Sequence, residues 1–348
     1  MKRLALLLGS LLVVSAAASA KEVVPAPVVV QETPVQIVEK EVIVYREKAP
    51  EWRPSGYLNV QERYYGKTEN KKDGTWNGHN QYGRLQVTGK VQMTENQAID
   101  FRSRTFQGWN KLDQDKEDQF RLRYFYDHGH LGDTNIDVES MVKYNKKAEG
   151  NQEVEYRLNF DFAEYLFNND FVKTSAAVVA PRYIYNWEGH GDDYSHTAGL
   201  YVDFVNEFPL GFSFELELDG IHYNKYNQAI DKDGHKKDFT VSVGATLYHN
   251  WNLYAADNYS IDWGFEGGYD TFDYSNRKVV ATLNGNYEHS AYSVYAQPSV
   301  TLTYNPTKFV SLYGTVGAEY RNWNITAKAD AQDWRWQPFA ILGVKTTF

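Results

Sequence analysis

Residues 83–93 read Gly83-Arg84-Leu85-Gln86-Val87-Thr88-Gly89-Lys90-Val91-Gln92-Met93. Leu85, Val87, Gly89, Val91 and Met93 alternate with Arg84, Gln86, Thr88, Lys90 and Gln92. Successive side chains of a strand point to opposite faces, so this stretch is a strand with one apolar and one strongly polar face. The same period of two runs on to the last residue. Phe120, Leu122, Tyr124 and Tyr126 alternate with Arg121, Arg123 and Asp127, and Val154, Tyr156, Leu158, Phe160 and Phe162 with Glu155, Arg157, Asn159 and Asp161. Phe212, Phe214, Leu216 and Leu218 alternate with Ser213, Glu215, Glu217 and Asp219.

Fourteen such segments are expected, near 57–66, 82–93, 98–107, 119–127, 136–145, 153–163, 171–184, 197–207, 212–224, 238–249, 259–270, 290–304, 309–321 and 334–348. The number is open to 12–16, because 271–289 has room for a further hairpin. Short turns, such as 94–97, 209–211 and 305–308, alternate with longer polar loops, such as 67–81, 108–118, 225–237 and 271–289. This is the pattern of a transmembrane antiparallel β-barrel, with short periplasmic turns and long external loops. A soluble β-sandwich also alternates, but its strands average about 5–6 residues and its inner faces pack together. The segments here run about 9–14 residues, long enough to cross a bilayer when tilted. Charges on nearly every polar face would be costly in a sandwich core. Aromatic residues crowd the segment ends, as at Tyr64-Tyr65, Tyr183, Tyr185, Trp187, Tyr248, Trp251, Tyr320, Trp323, Trp334 and Trp336. Two interfacial girdles account for that placement.

Composition narrows the classes further. The chain has 348 residues, 42% hydrophobic and 16% aromatic, with 27 Tyr, 9 Trp and no Cys. Absence of cysteine excludes a disulfide scaffold and a thiolate metal site. Residues 1–20 read as a signal peptide: Lys2 and Arg3, an apolar run over 4–14, then Ala18-Ser19-Ala20 as the cleavage site. Its removal makes the net charge of −9 more negative still, which argues against nucleic-acid binding. Residues 21–56 form a Pro/Val/Glu-rich segment expected to lie in the periplasm, with Pro25, Pro27, Pro34 and Pro50 favouring an extended linker. The barrel then occupies 57–348, and the location expected is the bacterial outer membrane.

If apolar side chains face lipid, the alternate set lines the lumen. Over strands one to four that set holds Arg63, Arg84, Lys90, Arg102, Arg104, Arg121 and Arg123 against Asp100 and Asp127. Over strands eight to eleven it holds Asp203, Glu207, Glu215, Glu217, Asp219, Asp262, Glu266 and Asp270, with no basic partner before the loop. Strands seven apart in a ring of fourteen face each other, so a basic wall opposes an acidic wall. Glu62 is discordant, falling on the lipid parity with Leu58, Val60 and Tyr64. It must lie near an interface, contact another subunit, or mark a bulge.

The last strand carries Trp336, Ala340, Leu342, Val344 and the terminal Phe348, which looks like the assembly signal of bacterial outer-membrane barrels. Several stretches resemble the FomA-type major outer-membrane porins of fusobacteria: Trp52-Arg53-Pro54, Gly83-Arg84-Leu85-Gln86, Glu266-Gly267-Gly268-Tyr269-Asp270-Thr271, Tyr304-Asn305-Pro306-Thr307 and Trp334-Arg335-Trp336-Gln337-Pro338. The likeness extends over the leader and the linker. It implies a general diffusion porin that passes ions and small hydrophilic solutes. It also implies a homo-oligomer, a trimer by analogy, with no catalytic residues and no cofactor. The external loops depart from the family, so no receptor role carries over.

Other chemistry is sparse. His128-Gly129-His130 has a metal-compatible spacing but no evident third ligand. The stretch Glu188–His196 gathers Glu188, His190, Asp192, Asp193 and His196, a set that suits a divalent cation but reads first as a solvated acidic loop. No metal site is expected. Ser195-His196 and His289-Ser290 are adjacent, hence on opposite strand faces, which disfavours a lipase-type site. An adhesin or receptor acting through the external loops is the stronger rival to a channel.

Overall fold

The computed structural model describes residues 52–69, 81–108, 118–147, 150–189, 191, 193–281, 287–325 and 331–348. The signal peptide, its cleavage site and nearly all of the linker fall outside them. Fourteen strands close into one antiparallel barrel. Its first six are β1 (Ser55–Tyr65), β2 (Tyr82–Gln92), β3 (Gln97–Gly108), β4 (Gln119–His130), β5 (Asp137–Lys146) and β6 (Asn151–Asp161). They continue as β7 (Lys173–Glu188), β8 (Asp193–Phe208), β9 (Phe212–Tyr226), β10 (Lys237–Ala256) and β11 (Tyr259–Ser275). The last three are β14 (Ser290–Thr307), β15 (Val310–Ile325) and β16 (Ala331–Thr347), and β16 pairs with β1 to close the ring. The hairpin foreseen in 271–289 exists as β12 (Val280–Ala281) and β13 (Tyr287–Glu288), but it forms a separate two-stranded sheet. The strand number of the barrel is therefore unchanged.

The ring is uneven. β1 to β6 have 10 to 12 residues, whereas the other barrel strands have 15 to 20. The connections also depart from a strict short–long rule. At the end that carries the chain termini, 162–172 is a long connection with a 3-10 turn at Ala163–Tyr165. At the opposite end, 147–150 and 189–192 are short.

Parity sorts the two faces. Residues opposite each other in antiparallel ladders point to the same side. Leu58, Phe120, Leu122, Val154, Tyr156, Leu247, Leu302 and Leu342 are exposed on the outside, whereas Arg63, Arg84, Arg102, Arg104, Arg121 and Arg123 are buried on the inside. Many of the aromatic residues expected at the interfaces are exposed on the outer face, including Tyr64, Tyr183, Trp251, Trp334 and Trp336. Tyr65 and Tyr248 are corrections. Both are buried, at 2% and 5% exposure, and point inward, because each sits one residue from the outer parity of its strand. The Trp323 side chain lies outside the description.

Glu62 keeps its outward position. Its ladders to Leu85 and Leu342 run through without a register shift, so the bulge explanation is removed. Its Oε1 is buried without a hydrogen-bond partner.

Candidate functional site

The inner face of the barrel is the candidate site. The ring order sets β1 to β4 across from β8 to β11. The two sets of charged residues read from the sequence therefore occupy opposite arcs.

On the basic arc, like charges stand side by side. Arg63 pairs across the ladder with Arg84, and Arg102 with Arg121. Juxtaposed like charges destabilise a sheet unless other groups compensate. Compensation is visible at several points. Asp100 accepts from Arg123 Nε through both carboxylate oxygens, at 2.9 and 3.0 Å, and lies 3.6 Å from Arg121. Arg63 donates to Gln297 at 2.7 Å and stacks over Tyr65 and Phe339, at 4.6 and 4.1 Å. Arg104 donates to Gln86 at 2.7 Å. Lys90 alone of the seven is exposed, with its ammonium 5.9 Å from the Phe125 ring. Tyr65, Tyr82 and Phe339, with Phe106 and Ile341 against them, form an inward apolar cluster beside these arginines. Strict alternation concealed it, because Phe106, Phe339 and Ile341 occupy positions the pattern assigns to polar residues.

The acidic arc holds Asp203, Glu207, Glu215, Glu217, Asp262 and Glu266 at the inner parity. Tyr248 donates to Glu215 at 2.8 Å, and Tyr295 donates to Glu266. Asp262 accepts from Asn252 at 2.7 Å and Ser260 at 2.8 Å. Asp219 and Asp270 find basic partners beyond strands eight to eleven. Arg182 of β7 lies 3.2 Å from Asp219, and Arg321 of β15 lies 2.8 Å from Asp270. Neither arginine belongs to strands eight to eleven, so counting charges strand by strand missed both contacts.

Between the arcs, charges are mixed. On β5 to β7, Lys143 contacts Glu153 at 2.9 Å and also Glu155, and Arg182 reaches Glu155 at 3.8 Å, while Lys147, just past β5, also contacts Glu153. On β15, Arg321 donates to Glu319 at 2.5 Å. Glu155 and Arg157 were legible as polar alternates of their strand, but their neighbours across the ladder were not.

The candidate metal groups separate. His128 binds Ser140 Oγ at 2.8 Å, while His130 pairs with Asp137 at 2.8 Å. His128 is the extra residue of a bulge at the end of β4. In the stretch Glu188–His196, His190 and Asp192 lie outside the described residues, and His196 turns outward to the Tyr183 hydroxyl at 2.6 Å. A grouping the sequence reading passed over is Asp231, Asp233 and His235 in the loop after β9. There Asp231 accepts from the backbone N–H of Asp233 and His235 and contacts the His235 ring at 2.7 Å. Desolvation opposes ionisation of the carboxyl, yet hydrogen bonds from the His235 backbone and ring hold it below the usual carboxylate range. That carboxylate is committed to shaping its loop.

No family model matches the chain, and no curated protein matches it. Among solved structures, a bacterial polysaccharide outer membrane secretin aligns with TM-score 0.42 and 9% identity, over 84% of this chain and 98% of that one. The NanC porin aligns at 0.37 and 10%, over 84% of this chain and 100% of that one. The anion-selective porin from Comamonas acidovorans aligns at 0.36 and 9%, over 85% and 99%. At these TM-scores the likenesses carry no argument, and the barrel rests on its own strand pairing.

Proposed function

We propose that the chain is an outer-membrane porin, a water-filled channel for passive diffusion of ions and small hydrophilic solutes. One observation carries the reading. A closed sheet of fourteen strands turns leucine, valine and aromatic side chains outward and guanidinium and carboxylate groups inward. An apolar outside suits lipid, and a charged inside suits water and ions. The FomA-type resemblance agrees with it, and with the channel we propose an N-terminal leader for export and assembly into a homo-oligomer. The inner charges are the pore wall in this reading, with Phe348 as the assembly signal. Ser195 and His196 are neighbours on one strand, so their side chains leave on opposite faces, which counts against a lipase-type pair there.

The test is a planar bilayer with purified protein. Stepwise conductance is expected. Replacing Arg102 and Arg104 together by Gln is expected to shift the reversal potential in a salt gradient toward cations. Absence of steps sinks the channel, and an unchanged reversal potential sinks the opposed-arc account of its wall.

A further inference from the structure

Two register shifts have the same construction. Between β8 and β9, Leu200 pairs with Ile221 and Val202 with Leu218. Between β10 and β9, Ser242 pairs with Gly220 and Val243 with Leu218. Asp219 is the extra residue against both neighbours. In β11, Tyr269 pairs with Val294 and Thr271 with Ser293, while Val243 pairs with Phe272 and Ala245 with Tyr269. Asp270 is the extra residue there, again against both neighbours. A bulge re-aims the side chain it carries. Both bulges carry an aspartate, and both aim it across an intervening strand at an arginine.

The surroundings match in detail. Asp219 crosses β8 to Arg182, whose guanidinium lies 5.9 Å from the Tyr201 ring of that strand. Asp270 crosses β14 to Arg321, whose guanidinium lies 5.0 Å from the Tyr295 ring of that strand. In each pair the arginine is the more buried partner, at 7% and 12% side-chain exposure, and the aspartate is the more open one, at 48% and 27%. Arg182 stands on β7, next to the acidic arc, and Arg321 on β15, one strand beyond its other side. Each aspartate therefore covers a guanidinium on one side of that arc.

We propose that Asp219 and Asp270 set the ionic selectivity of the lumen by covering Arg182 and Arg321, two cations on either side of the acidic arc. This rests on the channel reading above. A carboxylate held by neutral donors only adds negative charge to the arc. Loss of a bulge aspartate does more, because it removes the more open carboxylate partner of a guanidinium, leaving Glu155 at 3.8 Å from Arg182 and Glu319 at 2.5 Å from Arg321, and so offers a permeating anion a place to bind. Asp262 is the comparison, since its carboxylate is held by Asn252 and Ser260.

The experiment measures reversal potentials in a KCl gradient for wild type, Asp219→Asn, Asp270→Asn and Asp262→Asn, and for the first two in Arg182→Gln and Arg321→Gln backgrounds. Asparagine keeps the size of the bulged side chain, and circular dichroism with protease resistance reports that each barrel is closed. The expected result is a shift toward chloride that is larger for Asp219→Asn and Asp270→Asn than for Asp262→Asn. In the matching arginine background the excess disappears. Equal shifts at all three aspartates, or shifts unaffected by the arginine change, overturn the inference while leaving the channel intact. A wild type without conductance overturns the channel reading and this inference with it. The two pairs are independent, so if one variant fails to fold, the other pair decides.

Discussion

A Cβ on Gly268 would lie 2.0 Å from the Ala245 carbonyl oxygen, and its φ of +143° is one that side chains rarely adopt. Both constraints come from the bulge at Asp270, two residues on. Gly264, on the same inner row of β11, is different: its added Cβ would meet only the Ser299 hydroxyl at 3.0 Å and the Asn250 side chain at 3.7 Å. Gly268→Ala is therefore expected to destabilise the barrel by at least about 1–3 kcal/mol, the usual cost of a strained backbone position, with Gly264→Ala costing much less. Urea unfolding of the two variants in detergent compares them, and equal midpoints would count against strain at the bulge. Single residues were the least legible scale in the sequence. Arg63 could be assigned to a face, but its stacking between Tyr65 and Phe339 required β16 to close onto β1.

Strands were the most legible element, because period two survives wherever one face meets an apolar medium and the other a polar one. Register was harder. In β9 the outward residues are Phe214, Leu216 and Leu218, then Ile221 and Tyr223. In β11 they are Trp263, Phe265, Gly267 and Tyr269, then Phe272 and Tyr274. The step of three in each series is the bulge, visible in the residues once it is known to matter. A segment ended at 270 hides it. The last strand yields a separate expectation. Phe348 exchanges two backbone hydrogen bonds with Gly56, at 3.0 and 3.1 Å, while the residue stays 60% exposed. Deleting Phe348 removes those two bonds but leaves the ladder from Tyr57↔Thr347 to Tyr65↔Phe339. Refolding into detergent is therefore expected to persist, while the yield of barrel assembled in cell membranes falls. Equal membrane yield with and without Phe348 would leave it a structural residue only.

At the scale of the whole molecule, the division of charge depends on closure. A flat sheet of these strands would hold arginines and carboxylates at distant positions of one face. The ring brings β1 to β4 and β8 to β11 across a common lumen, with mixed charges on β5 to β7 and β15 between them. The field this sets up is transverse to the pore, and its reach is governed by salt. The screening length is about 10 Å at 0.1 M and about 3 Å at 1 M. In the channel proposed above, the arcs therefore reach further into the lumen at the lower concentration. At the higher one they act only on ions against the wall. Selectivity and the effect of replacing Arg102 and Arg104 are therefore expected to be large near 0.1 M KCl and to fade toward 1 M. The size cut-off for neutral sugars, fixed by sterics, should stay constant across the same range. Bilayer reversal potentials and liposome swelling measure the two quantities on one preparation. Selectivity that persists undiminished at 1 M would mean that ions discriminate by direct contact with individual side chains, and the opposed arcs would lose their explanatory role.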